Sequence, residues 1–360
     1  MARPTPLLFQ PIAFRSVTAR NRVAVAPMCQ YSATDGLGWD WHVQNLGAKA
    51  AGGAGIVFTE ATHVSADGRI THGCLGLWND EQQAFAARLA AIIAHCGAVP
   101  AMQIAHAGRK ASSQRPWEGS RPIRPEDGGW LPSAPSALPI TDDTVAPHVL
   151  DEGEIAAIVA QFAATTRRAR EAGFRIVEVH AAHGYLLHSF LSPATNTRND
   201  RYGGDLEGRA RMLMETLDAV RAEWPDDLPL FVRLSCVDWV PGGLEIAETV
   251  ALARMLKARG DVDLLDCSAG GLSPAQQIPA LYPGYQVPFS EAVRATGIAT
   301  GAVGLIRDPE LAAEIVANGR ADLVFVARAV LADPNWTNQA ARALGTAPAL
   351  PPQYQRAVPA

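Results

Sequence analysis

Hydrophobic residues along this chain fall into short continuous runs, separated by stretches in which they recur every three or four positions. VAVAPM (23–28) precedes a helical pattern at 41–51, GIVFTEA (55–61) precedes one at 80–95, and VPAMQIAHAG (99–108) precedes a long irregular stretch. The segment 151–172 is amphipathic, with Ile155, Ile158, Val159, Phe162 and Ala163 on one face. FRIVEVHAA (174–182) follows, then a helix at 207–223, LPLFVRLS (228–235), a helix at 246–259 and VDLLDCSAG (262–270). ATGAVG (299–304) and ADLVFVAR (321–328) flank a last helix at 308–318. The runs are apolar throughout rather than alternating, as in strands covered by helices on both faces. An α/β alternation sustained through eight strands predicts a (β/α)8 TIM barrel, with 1–360 as one domain. A doubly wound sheet is the alternative.

Two segments stand outside the repeat. In residues 7–22, Phe9, Ile12 and Phe14 precede the first strand and predict a small hairpin closing the barrel's N-terminal end. Residues 112–147 are rich in Pro, Ser and Gly and lack periodicity; a loop of that length is usually functional. It follows the third strand, so it is expected to cover the C-terminal mouth. The tail, 345–360, is Pro-rich.

Composition narrows the partners. The net charge of −5 argues against nucleic acid. No apolar run reaches the roughly 20 residues of a membrane span. Pro4, Pro6 and Pro11 break the only apolar piece near the N-terminus, so neither a signal peptide nor an anchor is expected. Five cysteines without CxxC spacing fit a reducing, cytoplasmic setting.

Chemistry in such a barrel collects at the C-terminal strand ends. EVHAAHGYLLHSFLSP (178–193) places His180, His183 and Tyr185 there. HAAH lacks the glutamate of HExxH, which disfavours a metal site. The few lysines, Lys49, Lys110 and Lys257, lie off strand six, against Schiff-base chemistry. What remains is a pair of core histidines or a pair that polarises a substrate oxygen, with Tyr185 as a proton source. Arg233, inside LPLFVRLS, needs either a neighbouring carboxylate or an electron-rich ligand. Glycines in TGAVGLIRDPE and Arg328 in VARAVLADP stand where barrels bind phosphate, whereas AGGAG (51–55) precedes its strand and reads as a helix end.

APMCQYSATDG (26–36), EAT (60–62), QIAHAGRK (103–110), the long block HAAHGYLLHSFLSPATNTRNDRYGGDLEGRAR (180–211), GAVGLI and VARAVLADP together resemble the Old Yellow Enzyme family of FMN-dependent ene-reductases. Cys29 and the paired histidines are similar to its thermophilic-like, xenobiotic-reductase branch. The resemblance implies non-covalent FMN at the barrel mouth, with NADPH or NADH as reductant. It implies that Ala26, Pro27, Met28, Cys29, Ala61 and Gln103 line the flavin, Cys29 tuning its potential. By the same resemblance Arg233 meets the flavin N1/O2 edge, supplying the anion its guanidinium requires, and Gly304, Ala327 and Arg328 hold the phosphate; many relatives have Gly where Ala327 stands. His180 and His183 would grip the carbonyl oxygen of an electron-poor alkene, hydride would come from FMN N5, and Tyr185 would protonate the α-carbon. Tyr31 resembles a further substrate contact. Arg356 in PPQYQRAV resembles an arginine sent into a neighbouring subunit of a homodimer or homotetramer.

The implied function is an NAD(P)H-dependent ene-reductase acting on α,β-unsaturated carbonyl and nitro compounds. A flavin dehydrogenase or demethylase of the larger relatives, a non-catalytic FMN-binding barrel and a non-flavin hydrolase barrel are the competing classes.

Overall fold

The computed structural model describes residues 4–141 and 144–357. Among them, β1 (Val23–Val25), β2 (Ile56–Phe58), β3 (Val99–Ala105), β4 (Ile176–Ala181), β5 (Leu230–Ser235), β6 (Leu264–Ser268), β7 (Ala299–Ala302) and β8 (Leu323–Val326) run parallel. Each pairs with its sequence neighbours, β8 with β1 included, which closes the sheet into the (β/α)8 barrel. The apolar runs are longer than the strands: VAVAPM gives only three strand residues, the Ala26 amide still reaching the Val326 carbonyl at 3.0 Å before Pro27, which has no N–H to offer.

Helices α1 (Asp40–Ala51), α2 (Asp80–His95), α3 (Glu152–Glu171), α4 (Leu206–Glu223), α5 (Ile246–Arg259), α6 (Val287–Arg294), α7 (Pro309–Ala317) and α8 (Trp336–Ala343) form the outer ring. Four of them, α2, α3, α4 and α7, start on a side-chain cap. At α3, Asp151 Oδ1 accepts the Glu154 amide and Glu154 Oε2 accepts the Asp151 amide, both at 2.8 Å. The hydrophobic pattern alone does not reveal α6 and α8. Each has eight residues, too short for a period to declare itself.

Two apolar layers result. Between strands and helices lies the larger core, with Val57, Phe162, Val179, Leu217 and Leu265. Inside the barrel lies a second, with Ile56, Ala101, Ile176, Phe231, Leu264 and Phe325. The predicted hairpin, Ile12–Phe14 paired antiparallel with Val17–Ala19, caps this interior core from below. Phe14 meets Phe231 edge-on at 5.1 Å between centroids. The barrel is therefore plugged at its N-terminal end and open at the other. Over that open end lies the cover loop, held mainly by 3-10 turns and a two-residue pairing of Ser133–Ala134 with His148–Val149.

Candidate active site

Above the interior apolar core, the same strands point polar side chains inward. Register sets Arg233 beside His180 on one side and Asp266 on the other, and Gln103 beside Glu178. Arg233 Nε lies 2.9 Å from Asp266 Oδ2, and Gln103 Nε2 donates to Glu178 Oε1 at 2.8 Å. This corrects the expectation that Arg233 depends on a ligand for its counter-ion: Asp266 supplies one. The contact is an ion pair alone: neither Arg233 Nε nor either Asp266 oxygen has a hydrogen-bond partner among the described residues. Asp266 and Glu178 stand in the apolar runs of β6 and β4, the same signal that singles out Arg233.

The end of β4 carries His180, and the loop that follows carries His183. The Ala182 amide donates to His180 Nδ1 at 3.2 Å, so the neutral ring holds its proton on Nε2. That nitrogen is 3.4 Å from His183 Nδ1, while His183 Nε2 is 2.8 Å from the Ser268 hydroxyl. Burial, reinforced by the Arg233 charge, pushes both imidazoles well below the ordinary histidine range. They are neutral at neutral pH.

Tyr185 stands edge-on to His180 at 4.9 Å, with Lys110 Nζ 5.1 Å over its ring. Burial, then the nearby Cys29 and Tyr31, raise its phenol well above the usual value, so the hydroxyl keeps its proton. Lys110 also donates to the carbonyls of His183 and Gly271, both at 2.9 Å. Sequence reasoning left Lys110 and Ser268 outside the site. HAGRK, a cationic cluster directly after a buried strand, is the available signal for the first, and a place at the C-terminal end of the sixth strand is the signal for the second.

Two cavities flank these groups. One, about 360 Å3, lies beneath the cover loop and is lined by Tyr31, Ile70, Thr71, Lys110 and Tyr185. The other, about 230 Å3, runs from His183 and Ser268 to Gly304, Arg307, Ala327 and Arg328. The site residues thus divide into a largely apolar chamber that Tyr185 lines and a polar trench that His183 lines, with His180 packed between those two side chains. Ala26, Ala61 and Gln103 are buried in the mouth, and Pro27, Met28 and Cys29 are half-buried. The Cys29 thiol, hydrogen-bonded to Cys74, is raised by that bond and by burial. Gly304 adopts φ 120°, and a Cβ there would press on Gln286 at 3.1 Å. Arg356 is exposed in the turn Pro352–Ala357 and lines neither cavity. No helix among the described residues is long and apolar enough to cross a membrane.

Residues 7–346 match the family model described as NADH:flavin oxidoreductase / NADH oxidase. The chain is 44% identical over 353 residues to an NADPH dehydrogenase of Geobacillus sp. (strain WCH70), covering 97% of this chain and 98% of the relative. It is 42% identical over 356 residues to the NADPH dehydrogenase of Listeria innocua serovar 6a, with the same coverage of each. Among solved structures it resembles morphinone reductase (TM-score 0.78, 28% identity, 96% of this chain and 91% of that one). A 2-naphthoyl-CoA reductase superposes with TM-score 0.84 at 28% identity over 94% of this chain, which spans only 52% of that protein's length. With that agreement of sequence, barrel and polar mouth, the chain belongs to the NADH:flavin oxidoreductase / NADH oxidase family of FMN enzymes.

Proposed function

We propose that this protein is an ene-reductase, reducing the C=C bond of α,β-unsaturated carbonyl compounds, with NADPH as reductant. The observation that carries the reading is the convergence of two neutral imidazoles, His180 Nε2 and His183 Nδ1, 3.4 Å apart, with Tyr185 edge-on to His180 and His183 at the end of the polar trench. His183 has two neutral forms. With Nδ1 bare it accepts from His180; with Nε2 bare it accepts from Ser268 and turns its own N–H inward. A carbonyl oxygen selects the second form, gaining two donors that hold the charge developing on it.

The mouth fits FMN on its own terms. Arg233 offers two Nη groups that the described residues leave without acceptors, Gln103 has a free carboxamide oxygen, and the trench ends at Gly304, Arg307 and Arg328. In this reading Ala26, Pro27, Met28, Cys29 and Ala61 would line the ring, Gln103 and Arg233 its polar edge, and Gly304, Ala327 and Arg328 the phosphate. FMN held there would supply the hydride-carrying chemistry between nicotinamide and alkene. Tyr185 holds the proton for the α-carbon on its hydroxyl, and Tyr31 shapes the chamber opposite. The NADPH preference rests on the names of the relatives.

The test is titration with a phenol and rapid-mixing reoxidation by cyclohexenone. Replacing His180 or His183 by Ala should slow reoxidation about a hundredfold, the ~3 kcal/mol typical of a lost oxyanion donor. FMN content should hold. Variants that bind phenol and reduce the enone like the parent would return the pair to a structural role.

A further inference from the structure

The barrel interior holds two carboxylates for one guanidinium. Glu178 and Asp266 are fully buried and Arg233 is 7% exposed. Alongside them face Gln103 from β3 and His180 from β4, the latter neutral. β1, β2, β7 and β8 contribute Ala24, Phe58, Gly301 and Phe325, none of which ionises. The cation is unequally shared. Asp266 Oδ2 lies 2.9 Å from the guanidinium in an ion pair that completes no hydrogen bond on either carboxylate oxygen, whereas Glu178 forms no ion pair among the described residues and has only the Gln103 amide on Oε1, with no partner on Oε2. A second buried negative charge without its own cation is resolved by taking a proton, and the carboxyl farther from the cation takes it.

We propose that Glu178 is a neutral carboxylic acid at neutral pH, and that its ionisation in mildly alkaline solution opposes reduction of the flavin. The second clause rests on the placement of FMN against Gln103 and Arg233 proposed above. Burial first, then the charge of Asp266, push Glu178 up to about 8, against the pull of Arg233 and Gln103. Asp266 rises only to about 6, burial being offset by Arg233. A hydride brings two electrons and one proton, a net gain of one negative charge at the mouth. With Glu178 protonated, Arg233 and Asp266 cancel, and that charge meets a neutral surround. With Glu178 ionised, it meets an uncompensated anion.

Infrared spectroscopy of the holoenzyme, with Glu178→Gln and Asp266→Asn, tests the protonation. Wild type should show a carboxylic-acid carbonyl band at neutral pH that titrates away in alkali and is missing in Glu178→Gln. Asp266→Asn, which frees Arg233 for Glu178, should lose the band at neutral pH. Should that variant not fold, the comparison with Glu178→Gln stands alone. The midpoint potentials of wild type and Glu178→Gln should coincide at neutral pH and diverge above it, the wild type falling more steeply around pH 8. No band at neutral pH, a band that survives Glu178→Gln, or parallel potential profiles would each overturn the proposal. Absence of flavin from the purified protein would instead sink the functional reading, while the band, measured in that same protein, still decides the proton.

Discussion

Ser268 carries no charge, yet its hydroxyl, 2.8 Å from His183 Nε2, can accept from that nitrogen or donate to it and so supports either neutral form of the ring. In the proposed reading it donates when a substrate oxygen takes the Nδ1–H beside His180. Ser268→Ala should therefore weaken phenol binding and raise KM for enones roughly fivefold, matching the ~1 kcal/mol of one hydrogen bond. Ser268→Thr should restore most of it, and FMN content should change in neither; flavin absorbance during titration reads both quantities. Tyr185→Phe separates the other role. Phenol binding should persist while reoxidation by enones slows, and least so for nitroalkenes, whose product anion needs no proton to leave.

At the scale of one element, the turn between β4 and the short helix Leu186–Leu191 is held under strain. His183, not a glycine, has φ 58°, and Gly184 follows at φ 75°. A Cβ on Gly184 would sit 2.5 Å from the Gly271 carbonyl oxygen. The turn persists because His188 ties it from beneath: its Nδ1 accepts the Gly184 amide at 2.7 Å, and its Nε2 lies 2.9 Å from Asp238 Oδ1. Asp238 Oδ2 in turn accepts from the Ser192 hydroxyl and the Leu244 amide, both at 2.6 Å. His188→Ala strands a fully buried aspartate and should cost about 3–5 kcal/mol of stability, read by urea unfolding. Asp238→Asn keeps a polar partner and should cost less. Gly184→Ala should lose activity through displacement of His183 and Tyr185 even where the protein folds.

For the whole molecule, four neutral histidines make acid the weak side. Burial lowers His63 to about 3 and His106 to about 4, and holds His180 and His183 well below the ordinary 6.5. Below about 6.5 the unfolded chain binds protons that the folded one refuses, and each such proton removes ~1.4 kcal/mol per pH unit. Glu178 and Asp266 act the other way. With folded values raised to about 8 and about 6, they retain protons the unfolded chain has released, so their contribution is lost as pH rises through those values. Four groups outweigh two on the acid side; above 6.5 Glu178 acts, and toward pH 8 Lys49 and Lys110, lowered to about 8 by burial, offset it by releasing protons the unfolded chain keeps. Stability of the apoprotein should peak near pH 6.5 and fall faster toward pH 5 than toward pH 8, as measured by urea unfolding across that range. A flat profile would mean that these groups relax into solvent.

Eight apolar runs without alternation determine a parallel sheet covered on both sides, and amphipathic stretches such as 151–172 determine the helices that cover it. Both are local properties of the chain and need no knowledge of what touches what. His180, His183, Tyr185 and Arg233 are legible too, because a polar group at or inside a strand end demands an explanation from solvation alone. Helices α6 and α8 are not, being shorter than the pattern needs to appear. Nor are the partners. That Asp266 rather than a ligand balances Arg233, that Ser268 faces His183 across 85 residues of sequence, and that Asp238 anchors His188 all follow from strand register around a closed barrel. Register fixes which side chains share the dry interior, and in that dry interior each neighbour's charge or hydroxyl sets where protons reside. Sequence determines the strands and the polar residues they carry; only closure of the barrel decides their company, and hence their chemistry.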